Sequence, residues 1–467
     1  MLITAVCVLV IWALTPAMAA TGANPARFDL TSHWVGFAAL ALFILAYALV
    51  ISEEFTHLRK SKPVVLAAGV IWLLIGLVYA QQGGDSDAVS SSIRHVLVEY
   101  VELFLFLLVA MTYVNAMTER NVFGALRSWL VRAGLGFRQL FWVTGIIGFF
   151  LSAIIDNLTT ALVMCAITLA VGAGNSRFIA LSCINIVVAA NAGGAWSAFG
   201  DITSLMVWQA GYLGFLQFPY LFLPSAVNWA IPAALMYFAV PQGAPHATAA
   251  GAESIRRGGR RVMLLFAATL GTAVGFQHFA HLPAALGMMT GLAYLQFLGY
   301  FLKKTGAVLA DRANDEMGDV MPFDVFRFIA RAEWDTLLFF YGVILCVGGL
   351  GFIGYLAVTS QFLYGEMGPT FANVMIGVAS AVVDNIPIMA AVIQMTPQMS
   401  DGQWLLITLT AGVGGSMLSI GSAAGVALMG QARGHYTFFS HLRWTPVIAL
   451  GYAASIATHL WVNSRLF

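Results

Sequence analysis

Apolar segments long enough to cross a lipid bilayer recur along this chain, and no other feature constrains its fold as strongly. They lie at 34–51, 64–80, 100–117, 139–172, 178–217, 220–239, 261–278, 284–302, 334–357, 371–396, 404–430 and 444–463. A helix of about 18 or more apolar residues spans the hydrocarbon core. Only 9% of the 467 residues are charged, against roughly 25% in a soluble domain. The sequence therefore predicts an all-α polytopic membrane protein and excludes a soluble fold.

The N-terminus and the polar connections divide the chain further. Residues 1–20 carry a short apolar core, then Pro16 and small residues, which is typical of a signal segment. An uncleaved first helix is the alternative, because no Lys or Arg precedes the apolar core. Polar connections lie at 81–98, 241–260 and 303–332. The last alternates charge with Phe and Ile, which favours an amphipathic helix on the membrane surface.

Four apolar segments are interrupted by polar residues and glycine, which is typical of transporters. We expect 139–172 and 371–396 to be re-entrant hairpins, and 178–217 and 404–430 to be broken helices that cross once. With residue 21 outside, this threading puts all but three of the 22 Lys and Arg residues on the cytoplasmic side, as the positive-inside rule requires. A wrong assignment of either hairpin would invert every later loop and spoil this partition.

The order of segments repeats. Residues 30–240 and 261–467 each contain five spans, one of them a broken helix, plus a hairpin, and a cytoplasmic linker at 241–260 joins them. The first tip (152–157, SAIIDN) matches the second tip (380–385, SAVVDN), and the first break (193–201) matches the second break (414–422). The two hairpins enter from opposite sides. The pattern therefore predicts two inverted-topology repeats, with a site near the midplane where the tips meet.

Acidic residues at membrane depth are the main candidates for that site. Asp156, Asp201 and Asp384 stand in apolar surroundings, where an ionisable side chain is costly and usually functional. Further oxygen ligands come from Asn157, Asn385, Asn191, Thr203, Ser152, Ser380 and Ser422, with Ser416 and Ser419 beside them. A structural carboxyl group and small residues for close helix packing are the alternative interpretations.

The balance of charges at this depth indicates the substrate. The predicted midplane segments contain no Lys or Arg, and carboxylate, amide and hydroxyl oxygens suit a hard cation. We expect Na⁺ to bind at Asp156, Asn157, Asp384, Asn385 and Asp201. A carboxyl group buried away from water holds its proton more tightly, and a cation at its oxygens opposes this. Cation and proton would then compete, which favours exchange of one for the other.

A second group of polar residues lies at the starts of two matching spans. It comprises Glu99, Glu102, Glu333, Asp335 and Thr336. These residues could form a proton pathway, or they could supply ordinary polarity at the membrane interface. The sequence does not favour one of these two interpretations.

The paired Asp-Asn tips and the FGDITS motif of the first break resemble the NhaD-type sodium/proton antiporters of the ion transporter superfamily. The resemblance runs from about residue 30 to the C-terminus. It implies exchange of Na⁺ or Li⁺ for H⁺ in the bacterial cytoplasmic (inner) membrane, for sodium extrusion and pH homeostasis, with no cofactor. It also implies a homodimer, in which a transport domain of hairpins and broken helices moves like an elevator against a scaffold domain.

Two other functions stay open at this point. An anion carrier of the same fold would take up a dicarboxylate with sodium or export arsenite, although carriers of dicarboxylates have Ser-Asn-Thr tips where Asp stands here. A channel would pass ions without coupling them to protons. An enzyme is not expected, because HExxH, Gly-x-Ser-x-Gly and P-loop motifs are missing. The net charge of +1 gives no reason to expect nucleic-acid binding.

Overall fold

The computed structural model describes residues 28–172, 174–243, 253–310 and 323–467. Within these ranges all regular secondary structure is helical, so the prediction of an all-α polytopic protein is confirmed. Nine described helices are long and apolar enough to cross a membrane. The predicted signal segment lies outside the described residues, as does part of the linker at 241–260.

The helices follow the predicted apolar segments closely. In the first half they are α1 (Trp34–Ile51), α2 (Glu53–Thr56), α3 (Ser61–Gln81), α4 (Ser86–Glu119), α5 (Val122–Arg132), α6 (Phe137–Ser152), α7 (Asn157–Gly172), α8 (Ser176–Ala195), α9 (Ile202–Gln209), a 3₁₀ helix (Phe215–Leu221) and α10 (Phe222–Tyr237).

In the second half they are α11 (Gly259–Ala280), α12 (Ala284–Ala310), α13 (Val325–Ala330), α14 (Trp334–Ile353), α15 (Tyr355–Ser360), a π helix (Gln361–Glu366), α16 (Pro369–Ala379), α17 (Asn385–Met395), α18 (Asp401–Gly414), α19 (Ala423–Gln431), α20 (Phe438–Leu442), α21 (Thr445–Val462) and a terminal 3₁₀ helix (Ser464–Leu466).

One of the polar connections differs from its prediction. Helix α4 begins at Ser86, so most of the connection predicted at 81–98 is helical. This helix has 34 residues and extends about 51 Å. It is therefore longer than the apolar span, and its polar residues lie in the part that continues beyond that span. A surface helix was predicted within 303–332. In this range the described residues contain the short helix α13, and residues 311–322 lie outside the described residues.

The chain divides into two compact units. The first contains the described residues up to Val101, together with Trp334–Ala372 and Ile386–Met399. Its core is α3, on which α1 and α14 pack. The indole Nε1 of Trp72 donates a hydrogen bond to the carbonyl oxygen of Leu345 at 2.9 Å, which ties α3 to α14 in the membrane interior.

The second unit contains Glu102–Glu333, Asn373–Asn385 and Ser400–Phe467. Helix α8 is its centre, because it contacts α6, α7, α10 and α18 and is buried along nearly its whole length. Helices α10 and α21 pack together, as do α11 and α12. A span surrounded by protein in this way can carry polar residues at membrane depth.

The four interrupted segments are helices with non-helical gaps. Helices α6 and α7 have 16 residues each, and α16 and α17 have 11 each. At 1.5 Å per residue they extend about 24 Å and about 17 Å, less than the roughly 30 Å of a hydrocarbon core. Each broken helix likewise stops, at Ala195 or Gly414, and starts again at Ile202 or Ala423. Non-helical backbone therefore lies at both tips and both breaks.

Candidate functional site

The tip serines attach the tips to the broken helices. The hydroxyl of Ser152 donates a hydrogen bond to the carbonyl oxygen of Ala190 at 2.6 Å. The hydroxyl of Ser380 donates to the carbonyl oxygen of Ala411 at 2.8 Å. Both serines are fully buried. In each half, the tip serine thus donates its hydroxyl proton to a backbone carbonyl oxygen that lies just before the break of the broken helix.

Glycines let each broken helix approach its neighbouring hairpin arm closely. A Cβ atom on Gly193 would lie 2.1 Å from the carbonyl oxygen of Phe149, and one on Gly414 would lie 2.0 Å from that of Gly377. Both distances are far shorter than any contact between a carbon and an oxygen. Only glycine therefore fits at these two positions, and the backbone carbonyls of the hairpin arms come to lie against the breaks.

The helices restart after the breaks in the same conformation. Asp201 precedes α9 with φ −137° and ψ 149°, and Ser422 precedes α19 with φ −142° and ψ 147°. Ser422 uses its hydroxyl to accept a hydrogen bond from the backbone N–H of Gly425 at 3.3 Å, as a helix N-cap does. The backbone conformation at the two positions is thus nearly the same, but the side chain is an acid at Asp201 and a hydroxyl at Ser422.

The carboxylate of Asp201 connects the two tips. Its Oδ2 accepts hydrogen bonds from the Asn385 amide and the Thr203 hydroxyl, both at 2.9 Å. Its Oδ1 accepts a longer one, 3.4 Å, from the Asn157 amide. Asp201, Asn157 and Asn385 are all at most 5% exposed. The structure therefore brings together four of the predicted ligands, which come from the first tip, the second tip and, in the case of Asp201 and Thr203, the first broken helix.

The acids of the two tips have different surroundings. Asp156 caps α7: its Oδ1 accepts from the backbone N–H of Thr159 at 2.9 Å, and its Oδ2 accepts from the Thr159 hydroxyl at 2.7 Å. The corresponding position in the second tip is Pro387, which has neither an N–H nor a hydroxyl. Asp384 lies close enough to Asp201 for the two charges to repel each other. The two acids whose charges act on each other are therefore Asp201 and Asp384.

A chain of buried polar groups continues from this cluster into the second break. The amide of Asn157 also donates to Asn191 Oδ1 at 3.0 Å, and the Asn191 amide donates to the Ser416 hydroxyl at 2.8 Å. The Ser419 hydroxyl is fully buried and forms no hydrogen bond within the described residues. An oxygen left in this condition at membrane depth is open to a further ligand.

Three contributors were not expected from the sequence. A Cβ on Gly412 would lie 3.3 Å from Asp201 Oδ2, so this glycine leaves room beside the carboxylate. His441 contacts the carbonyl oxygen of Ser416 through Nε2 at 2.8 Å, and its Nδ1 contacts the Tyr436 hydroxyl at 2.7 Å. Residues 435–441 are polar and aromatic without apolar periodicity, so nothing in their sequence indicated a buried contact with the second break.

The second group of predicted residues is placed as follows. Glu99 is paired with His95 at 3.2 Å, one helical turn away on α4, and Glu102 is half-buried on the same helix. Asp335 accepts a hydrogen bond from the Ser61 hydroxyl, Thr336 is buried, and Glu333 is exposed. These positions agree equally with a pathway and with interfacial polarity.

The cluster combines few charged groups with amide and hydroxyl groups. The described residues contain no group of three or more His, Cys, Asp or Glu side chains suited to a metal ion. The hydrogen-bond partners of Asp201 among the described residues are instead the amides of Asn157 and Asn385 and the hydroxyl of Thr203. The ring of Phe199 stacks on Phe106 at 5.8 Å and meets Trp208 edge-on at 5.3 Å, which holds the first break in place.

Comparison with known proteins gives the family of this chain. The citrate transporter family matches residues 1–412. Proteins named Na(+)/H(+) antiporter NhaD from Alkalimonas amylolytica and Vibrio cholerae are 57% and 56% identical over 465 residues, which cover 97% of this chain and 95% and 97% of theirs. Sodium/proton antiporter 1 of Arabidopsis thaliana is 33% identical over 441 residues, covering 91% of this chain and 72% of that protein.

These matches extend over almost the whole chain and join it to transporters rather than enzymes. The resemblance noted at the tips and the first break is confirmed by them. The chain belongs to the citrate transporter family and, within it, to the NhaD-type sodium/proton antiporters.

Proposed function

We propose that this protein exchanges Na⁺ or Li⁺ for H⁺ across the bacterial cytoplasmic membrane, and so extrudes sodium and regulates internal pH. One observation carries the proposal: the buried Asp201 carboxylate lies between the amides of both tips, close to Asp384. The names of its relatives, four of them 55–59% identical, support the same activity.

The side-chain amides of Asn157 and Asn385 can serve the site in two ways, because each carries both an N–H donor and a carbonyl oxygen. In the structure, the N–H groups of Asn157 and Asn385 donate to Asp201. A half-turn of either amide about its Cβ–Cγ bond replaces the N–H group with a carbonyl oxygen. Sodium could then bind between the carboxylates of Asp201 and Asp384 and these two oxygens, with Ser419 adding a hydroxyl. Asp156 would shape the first tip by capping α7.

Exchange follows from the repulsion between Asp201 and Asp384. Two carboxylates that share an apolar site cannot both stay ionised without a compensating charge. Either a proton or a sodium ion supplies that charge, so binding of one favours release of the other. If the transport domain reorients only when a proton or a sodium ion compensates the charge of the two carboxylates, each cycle carries sodium one way and protons the other. Glu99, Glu102, Glu333, Asp335 and Thr336 are proposed to lead protons to and from this site.

The wider architecture we propose has two inverted-topology repeats, 30–240 and 261–467. Its support is the agreement of small details: serine-to-backbone bonds at both tips, close glycine contacts at both breaks, and equal dihedral angles where the helices restart. The hairpins and broken helices would form the moving transport domain of an elevator, and the protein would act as a homodimer.

The test uses the full chain in proteoliposomes with an imposed pH gradient and a pH-sensitive dye. Addition of Na⁺ or Li⁺, but not K⁺, should dissipate the gradient in the wild-type protein. Asp201→Asn and Asp384→Asn should abolish the response, and Asp156→Asn should weaken or abolish it. Asp87→Asn, at an exposed position, is the matched control and should respond like the wild type.

Two results would contradict the proposal. A sodium flux that proceeds without proton movement would indicate a channel. No response to Na⁺ or Li⁺ at neutral or alkaline pH, together with sodium uptake driven by a dicarboxylate, would indicate the anion carrier. The buried carboxylates argue against that carrier, because they would repel its substrate, and the cluster around Asp201 contains no Lys or Arg among its described hydrogen-bond partners.

A further inference from the structure

An open cavity lies away from the proposed ion site, where several helices of the second unit end. Its volume is about 590 Å³, within the range of pockets that bind small ligands. The first turns of α8 and α21, the residues after α10, and α20 form its wall. The residues that matter for its chemistry are Arg177, Leu181, Ala239, Ser440, Arg443 and Trp444.

The cavity is positively charged. Arg177 and Arg443 line it, and no acidic residue does. Both arginines are exposed, and the salt bridges of the described residues involve neither of them. Helices α8 and α21 both begin at this cavity, so the positive ends of their dipoles add to the charge. An anion with several oxygen atoms would satisfy both guanidinium groups.

Apart from Ser440, the rest of the wall is apolar and adjoins the lipid-facing surface. Leu181, Ala239 and Trp444 supply hydrocarbon and aromatic surface. Two direct sequence neighbours of lining residues, Phe238 and Phe439, are 76% and 77% exposed. Aromatic side chains exposed to this degree on a membrane protein contact lipid or its interface. A small soluble anion would not use such a surface, whereas an anion joined to acyl chains would.

We propose that this cavity binds the phosphate headgroup of an anionic phospholipid, with Arg177 and Arg443 on the phosphate and an acyl chain along the apolar wall. The positive-inside rule puts both arginines on the cytoplasmic side, whose leaflet supplies such lipids. Basic cavities between membrane helices on that side are suited to anionic headgroups. The proposal does not depend on which ions the protein exchanges.

The test is native mass spectrometry of the full chain in detergent, titrated with phosphatidylglycerol. The wild type should retain this lipid in preference to phosphatidylcholine. Arg177→Gln with Arg443→Gln should weaken retention roughly thirtyfold, since each arginine contributes about fivefold. The control is Arg260→Gln with Arg433→Gln, which removes the same charge at exposed positions outside the cavity and should bind like the wild type.

A second variant and a competitor keep the result decisive. Arg177→Lys with Arg443→Lys keeps the charge and should retain most of the binding even if the glutamine variant unfolds. Inorganic phosphate at millimolar concentration should not displace the lipid. Equal retention in the glutamine variant and its control, equal retention of phosphatidylcholine, or displacement by phosphate alone would each overturn the proposal, the last by making the site one for a soluble anion.

Discussion

The close contact at Gly414 gives the sharpest prediction about the proposed site. A Cβ at this position would lie 2.0 Å from the carbonyl oxygen of Gly377, and both glycines are buried. An ordinary contact needs at least about 3 Å, so Gly414→Ala must separate the second break from the hairpin arm by about 1 Å. Overpacking of this kind costs about 1–3 kcal/mol of stability. A displacement of about 1 Å at a binding site can reduce turnover roughly a hundredfold.

The assay is sodium-driven dissipation of a pH gradient in proteoliposomes, with thermal unfolding of the same preparations. Gly414→Ala should lose about two orders of magnitude in exchange rate and unfold at a lower temperature. Gly430→Ala is the control, because it lies in the same broken helix and its Cβ would meet nothing within 4 Å. It should exchange normally and be as stable or slightly more stable. Equal exchange rates in the two variants would refute the reasoning.

Three further predictions concern the polar contacts. Asn385→Leu removes the 2.9 Å hydrogen bond to Asp201 and should raise the Na⁺ concentration for half-maximal exchange at least tenfold; an unchanged value would remove Asn385 from the site. Ser152→Ala and Ser380→Ala should each cost about 1 kcal/mol, measured by thermal unfolding, and their effects should be similar; a severe effect in one alone would contradict equivalent roles. His441→Phe should slow exchange severalfold because it removes the contact with the second break, whereas His441→Gln should keep part of the rate; wild-type activity in the phenylalanine variant would argue against this contact.

Much of the fold could be predicted from the sequence because the bilayer leaves few options. A segment such as 34–51 is apolar throughout, and its helix has the predicted bounds. The interruptions were equally visible, because Asp156 and Asp384 are too costly in hydrocarbon to be accidental. For polar segments outside the bilayer, prediction from hydropathy was weaker. The connection at 81–98 looked like a loop, although α4 begins at Ser86, because polar helix and polar loop have similar compositions.

The contacts within the site could not be predicted, because they join residues far apart in the chain. Asn385 and Asp201 are 184 positions apart, and no local pattern indicates that they meet. The tip serines were expected to offer oxygen to an ion, and that stays a prediction; the sequence did not indicate that their hydroxyls donate to backbone carbonyls of the broken helices. Only the fold decides which of several possible acceptors a hydroxyl reaches.

At the two breaks the backbones are similar but the side chains differ, and this difference accounts for the single ion site that we propose. Asp201 and Ser422 start their helices with the same dihedral angles, yet only Asp201 has a carboxylate that both tip amides can reach. Thr159 holds Asp156 against its own helix, whereas Pro387 cannot hold Asp384 in this way. One half therefore contributes the acid of its break and the other the acid of its tip. In the function we propose, these two carboxylates, Asp201 and Asp384, share one proton or one sodium ion.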